Sequence, residues 1–163
     1  MDVNEKIVIC WLQSCKNIFT IADIEYDNFH SSVDILGINL NKKEIYDIEV
    51  KFKARIKIDE STKKQNGYLH IKKQLFSEAR EIVIKKLLPK NNDFKILKVL
   101  VTTKRFLTVN KFDYWTSKFE KDGITLWYFD DIVKELSDKT EKLKKANDEV
   151  LQTLRLLNQF KST

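Results

Sequence analysis

Between residues 20 and 58 the chain passes through three strand-like stretches with only short turns between them; beyond residue 58 each further strand follows a helix. The strands are read at 20–26, 32–39 and 44–58, with turns at Asn28 and over 39–43, which makes an antiparallel meander. A helix precedes it over 3–19, where Ile7, Cys10, Trp11, Cys15, Ile18 and Phe19 recur near helical spacing. After a polar loop at 61–67 come a helix over about 69–88 stopped by Pro89, a very apolar strand at 94–102, and a helix over about 111–121 closed by Gly123. A short strand at 124–129 then leads into a pattern that is helical from 130 to 160. This order predicts an α/β sandwich, a mixed central sheet flanked by helices, with a long C-terminal helix.

The 163 residues suffice for one domain that buries roughly two-thirds of its unfolded surface. Three glycines and one proline leave little material for loops and exclude a flexible linker array. The formal charge of +6 suits a polyanionic partner, but only four of the basic residues are arginines, so phosphate contacts would fall mainly to lysine and base readout is not favoured. Cys10 and Cys15 have neither zinc-knuckle nor CxxC spacing and read as buried thiols. No Gly-rich phosphate loop supports nucleotide-triphosphate hydrolysis. No apolar run is long enough to span a membrane, and Asp2 and Glu5 stand where a signal peptide would be basic, so a reducing, cytoplasmic setting is expected.

Asp34 lies in an apolar strand and shares its face with Leu36 and Ile38. Burying a carboxylate there is costly unless a cation pairs with it. In the next strand Asp47, Glu49, Lys51, Lys53, Arg55 and Lys57 alternate with Tyr46, Ile48, Val50 and Phe52, so acids run into a basic stripe on one face. Two readings are open. Asp34 or Glu49 forms an ion pair with Lys51 on a wet sheet face. Alternatively, Asp34, Glu49 and the backbone carbonyl of Val50 converge on Mg²⁺, which favours one or two carboxylates plus waters, and Lys51 polarises an attacking water. The second arrangement is equipped for phosphodiester hydrolysis.

The acid strand "SSVDILGIN", the following "YDIEVKFK", and the helix and strand after them resemble the PD-(D/E)xK nuclease superfamily. Residues 99–136, "VLVTTKRFLTVNKFDYWTSKFEKDGITLWYFDDIVKEL", are similar to the strand, Thr-rich turn, helix, Gly-Ile, strand and acidic helix of Mrr-type restriction endonuclease catalytic domains. The resemblance covers roughly residues 3–137. It implies a restriction-endonuclease-like catalytic domain over 1–137, with 138–163 as a C-terminal helical extension. It also implies Asp34 and Glu49 as metal ligands, Lys51 as the catalytic lysine, and Glu5 and Gln74 as accessory candidates. The implied cofactor is Mg²⁺, with Mn²⁺ as a substitute, and the implied activity is DNA cleavage in restriction or another defence role. Lys53, Arg55 and Lys57 are the candidate DNA contacts. The Gly-rich approach common before the Asp is replaced here by "NFHSS". A Holliday-junction resolvase shares the same core, and a nuclease-fold module that binds nucleic acid or protein without cutting is the alternative from another class.

Val133, Leu136, Thr140, Leu143, Asn147, Val150, Leu154 and Leu157 alternate by three and four, a heptad that would suit a parallel homodimer with Asn147 in the seam. The same pattern also suits a helix packed on its own sheet.

Overall fold

The computed structural model describes residues 1–27, 31–51, 57–61, 63, 67–88, 93–141 and 148–161. Lys53 and Arg55 of the basic stripe and Asn147 of the heptad lie outside them. The first helix, α1 (Val3–Lys16), starts in a capping box: Glu5 N donates to Asp2 Oδ1 at 2.9 Å, and Asp2 N donates to Glu5 Oε2 at 3.0 Å. It ends at Asn17, whose φ of 54° is one that asparagine tolerates.

Strands β1 (Phe19–Asp27), β2 (Ser31–Asn39) and β3 (Glu44–Val50) form the antiparallel meander, and β4 (Lys95–Thr102) and β5 (Ile124–Tyr128) add to it in parallel. Among the described residues the sheet is five-stranded and mixed, in the order β1-β2-β3-β4-β5. The parallel crossovers run through α2 (Tyr68–Leu75) and α3 (Glu78–Leu87), and then through α4 (Phe112–Lys121). These helices cover one sheet face. Tyr68, Ile71, Leu75, Trp115 and Phe119 pack with Leu100, and Ile84 packs with Val33, Leu36 and Ile45. On the other face Val8, Trp11 and Leu12 of α1 pack with Ile35, Tyr46, Ile48, Val99 and Val101. Trp127 stands edge-on to Trp11, with ring centroids 5.2 Å apart.

Three sequence expectations need correction. The helix over 69–88 is two helices, because Ser77 takes an extended conformation and caps α3, its side chain accepting from Arg80 N at 3.4 Å. The strand over 44–58 ends at Val50. Lys51 N makes one further bond, to Val101 O at 3.0 Å, and Ile58 N already bonds elsewhere, to Phe106 O at 3.0 Å. The long C-terminal helix is a pair, α5 (Phe129–Glu141) and α6 (Glu149–Lys161), which pack on each other and on α1, as one straight helix could not. Heptad positions Leu136 and Thr140 are buried within the chain, and Val150 and Leu154 pack beside Leu151 against the same core as Val8 and Ile132. Leu143 and Asn147 of the heptad lie outside the described residues, while Val150, Leu151 and Leu154 join the core built by the elements before residue 137.

Gly67 caps α2 and lies beside the chain at Asp59, with which it forms a β-bridge. A Cβ at Gly67 would fall on the backbone carbonyl of Ser61, which also accepts from His70 N at 3.3 Å. Gly67→Ala should force the 58–61 segment off α2 and cost about 2 kcal/mol. Thermal denaturation would read this as a fall of roughly 4–8 °C in Tm; an unchanged Tm would show that the segment moves freely.

Candidate active site

The pairing of β2 with β3 runs to Ile35↔Ile48 and stops. If it continued, Val50 would next bond to Val33; instead Val50 N donates to the side chain of Asp34, at 2.8 Å from Oδ2. Lys51 N bonds toward β4, so Val50, one residue earlier, directs its N–H and its carbonyl to the β2 side, where Asp34 is. Strict alternation also fails here. Val33 and Leu36, three residues apart, share one apolar cluster, and so do Ile21 and Ile24 of β1, on either side of Asp23 with its φ of 52°. The break in the ladder frees the Val50 N–H for the Asp34 carboxylate, beside Glu49, the residue that the register would set opposite Asp34.

Asp34 has no ion pair among the described residues. Its carboxyl is pushed up to about 7, first by burial and then by the negative charge of Glu49; the Val50 N–H and Lys51 oppose the shift, and the charge of Glu5 adds slightly to it. The Glu49 carboxylate is therefore close enough to oppose the ionisation of Asp34. Glu49 is fully buried. Arg80 Nη1 donates to its Oε2 at 2.7 Å, and Lys51 Nζ lies 2.9 Å from its Oε1. The second contact is a close ion pair without hydrogen-bond angles, and Oε1 remains buried without a donor. Burial is the largest single influence on the Lys51 ammonium and lowers its proton affinity, but the contact with Glu49 and the charge of Asp34 together outweigh it, and the net shift is upward. The ion-pair reading thus holds for Glu49 and Lys51, while Asp34 pairs with no cation among the described residues.

The wet sheet face considered for this stripe is not found at Asp47 and Glu49. Both are fully buried beneath the helices of the α2 and α3 side. Arg80 of α3, itself fully buried, donates to Asp47 Oδ1 through Nε at 2.9 Å and Nη2 at 2.7 Å. Lys98 Nζ donates to Asp47 Oδ2 at 2.9 Å, and the two residues are register partners on β3 and β4. Sequence reasoning missed Arg80 and Lys98 as members of this cluster. A signal for Lys98 existed, a lysine inside the most apolar strand, of the same kind that singled out Asp34. Nothing local marks Arg80, which is 31 residues from Glu49 in sequence.

The accessory candidates are placed less directly. Glu5 is engaged in the α1 capping box, with its carboxyl raised chiefly by burial. Gln74 lies on α2, the helix packed over Leu100, and Leu100 is the register partner of Glu49; its Oε1 is buried without a hydrogen bond. Lys57 is exposed and engaged by a neighbour. Cys10 is a buried free thiol, pushed up to about 11 by burial and by Asp148, whereas Cys15 is half-buried. Among the described residues no group of three or more His, Cys, Asp and Glu could hold a metal ion. None of their helices is long and apolar enough to cross a membrane. Comparison of the chain with family models, with curated proteins and with solved structures gave no match.

Proposed function

We propose that the chain is a Mg²⁺-dependent DNA endonuclease of the PD-(D/E)xK kind, similar to the Mrr-type catalytic domains and serving restriction or another defence role. The observation that carries this reading is the end of the β2–β3 ladder, where the Val50 N–H turns to the Asp34 carboxylate beside Glu49, with Lys51 on the Glu49 carboxylate. The donor set fits a hard divalent cation. Asp34 forms no ion pair among the described residues, and Glu49 Oε1 is a buried oxygen without a donor. Two carboxylates and a carbonyl suit Mg²⁺, which keeps several of its waters. Asp34, Glu49 Oε1 and the Val50 carbonyl would hold the ion. When bound, it would supply Lewis-acid polarisation of a phosphodiester oxygen and lower the pKa of a bound water.

Lys51 has the geometry for a second task. Its ammonium is a quarter exposed and is held by charge rather than by directed hydrogen bonds, so it can turn from Glu49 toward a phosphate or an attacking water. Thr102 Oγ1 donates to Lys51 O at 2.8 Å and fixes the backbone from which the side chain swings. The +6 charge of the chain favours association with a polyanion whatever its sequence.

The non-cleaving binding module has one observation in its favour: both Glu49 oxygens already face cations, Arg80 and Lys51. Incubation with plasmid, linear duplex and four-way junction, with Mg²⁺, with Mn²⁺ and with chelator, separates the readings. The endonuclease reading expects metal-dependent cutting of plasmid or linear duplex, and Lys51→Ala should reduce it about 10²-fold or more. Cutting of the junction alone would favour a resolvase. Binding without cutting in any metal would favour the module.

A further inference from the structure

Glu49 meets two cations, and they differ in how firmly they are held. Lys51 is partly exposed and lacks hydrogen-bond geometry to Oε1, so an arriving ion can displace it. Arg80 cannot yield in the same way. It is fully buried, with two donors on Asp47 Oδ1 at 2.9 and 2.7 Å, a third on Glu49 Oε2 at 2.7 Å, and Nη2 3.4 Å from Ile48 O. Asp47 is fixed in turn, because Lys98 holds its other oxygen at 2.9 Å. Swinging Arg80 away would strand buried carboxylates, and its planar fork spans two acids as an ammonium does not.

We infer that Arg80 is a positioning residue that sets the metal preference of the site: by occupying Glu49 Oε2 it leaves the carboxylate able to offer Oε1 alone. A carboxylate limited to one oxygen suits the small octahedral ions Mg²⁺ and Mn²⁺. Ca²⁺ takes more oxygen ligands and commonly uses carboxylates through both oxygens, so it loses a ligand here. The inference rests on the metal site of the proposed function and adds a determinant on α3, outside the Asp34, Glu49 and Lys51 set.

The test is calorimetric titration of the full chain with Mg²⁺, Mn²⁺ and Ca²⁺, in the wild type and in Arg80→Lys. The lysine keeps a positive charge but reaches only one of the two acids. The wild type should bind Mg²⁺ and Mn²⁺ in preference to Ca²⁺, and Arg80→Lys should shift the Mg²⁺ to Ca²⁺ affinity ratio toward Ca²⁺ by about tenfold. A merely structural role would weaken all three ions alike and leave that ratio unmoved. If Arg80→Lys does not fold, Asp47→Asn retains Arg80 while loosening its anchor, and should shift the ratio in the same direction. A folded variant with the wild-type ratio overturns the inference and leaves the metal site standing. A wild type that binds none of the three ions overturns both.

Discussion

Asp34→Asn should abolish cleavage, by about 10³-fold, and at the same time stabilise the metal-free protein above neutral pH. The two effects share a cause. The Asp34 carboxyl is pushed up to about 7, by burial first and by Glu49 second, against an ordinary value near 3.9. Between about pH 4 and 7 the folded chain therefore holds a proton that the unfolded chain has released. Stability must fall as pH rises through that window and level off above it. The cost at pH 8 is about 2–4 kcal/mol. Asparagine keeps an oxygen for the Val50 N–H and carries no charge to desolvate. Denaturant unfolding in chelator at pH 4, 6 and 8 should show the variant level with the wild type at the lowest pH and ahead of it at the highest. A gap independent of pH would mean that Asp34 is not the strained carboxyl, and wild-type cutting by Asp34→Asn would remove it from the reaction.

The element order was readable because it rests on hydrophobic period and turn chemistry, which are local. The apolar run of β4 places it inside the sheet, and Gly123, with φ of 75°, ends α4 where the sequence put the stop. The errors came where local pattern continues but its partner does not. Alternation carries on from Lys51 through Lys57, yet the pairing of β2 with β3 stops at Ile35↔Ile48 and β4 ends at Thr102. Ser77, with Glu78 and Glu81 after it, is a helix start that an uninterrupted amphipathic period conceals. At the C-terminus, a heptad and a helical hairpin place apolar residues at the same intervals, so only tertiary contact distinguishes them. Within the site, Asp34 was visible because it interrupts an apolar strand, and Glu49 and Lys51 because they follow it as a Glu-x-Lys in the next. The Arg80 link was not, since its position is set by how α3 lies over β3.

Arg80→Met should destabilise the protein by about 3–5 kcal/mol, the largest stability loss expected of any single change at this cluster. Methionine is long and unbranched enough to fill much of the space, so the cost is mainly electrostatic: Asp47 is left with Lys98 alone and Glu49 with Lys51 alone, both acids fully buried. Removing the charge on the other side should restore part of the loss. In Arg80→Met/Asp47→Asn, Lys98 keeps Glu81 at 3.8 Å and Glu49 keeps Lys51 at 2.9 Å, so no acid is left wholly unpaired. The double variant should therefore unfold at higher denaturant than Arg80→Met, with a coupling of about 1–3 kcal/mol between the two positions. Simple addition of the two single costs would show that the Arg80–Asp47 pair does not act as a unit. Coupling in stability would also bear on selectivity: if Asp47 holds Arg80 rigid, loosening it should move the Mg²⁺ to Ca²⁺ preference in the direction expected for Arg80→Lys, because the same bonds that keep the buried charges together keep Glu49 from turning.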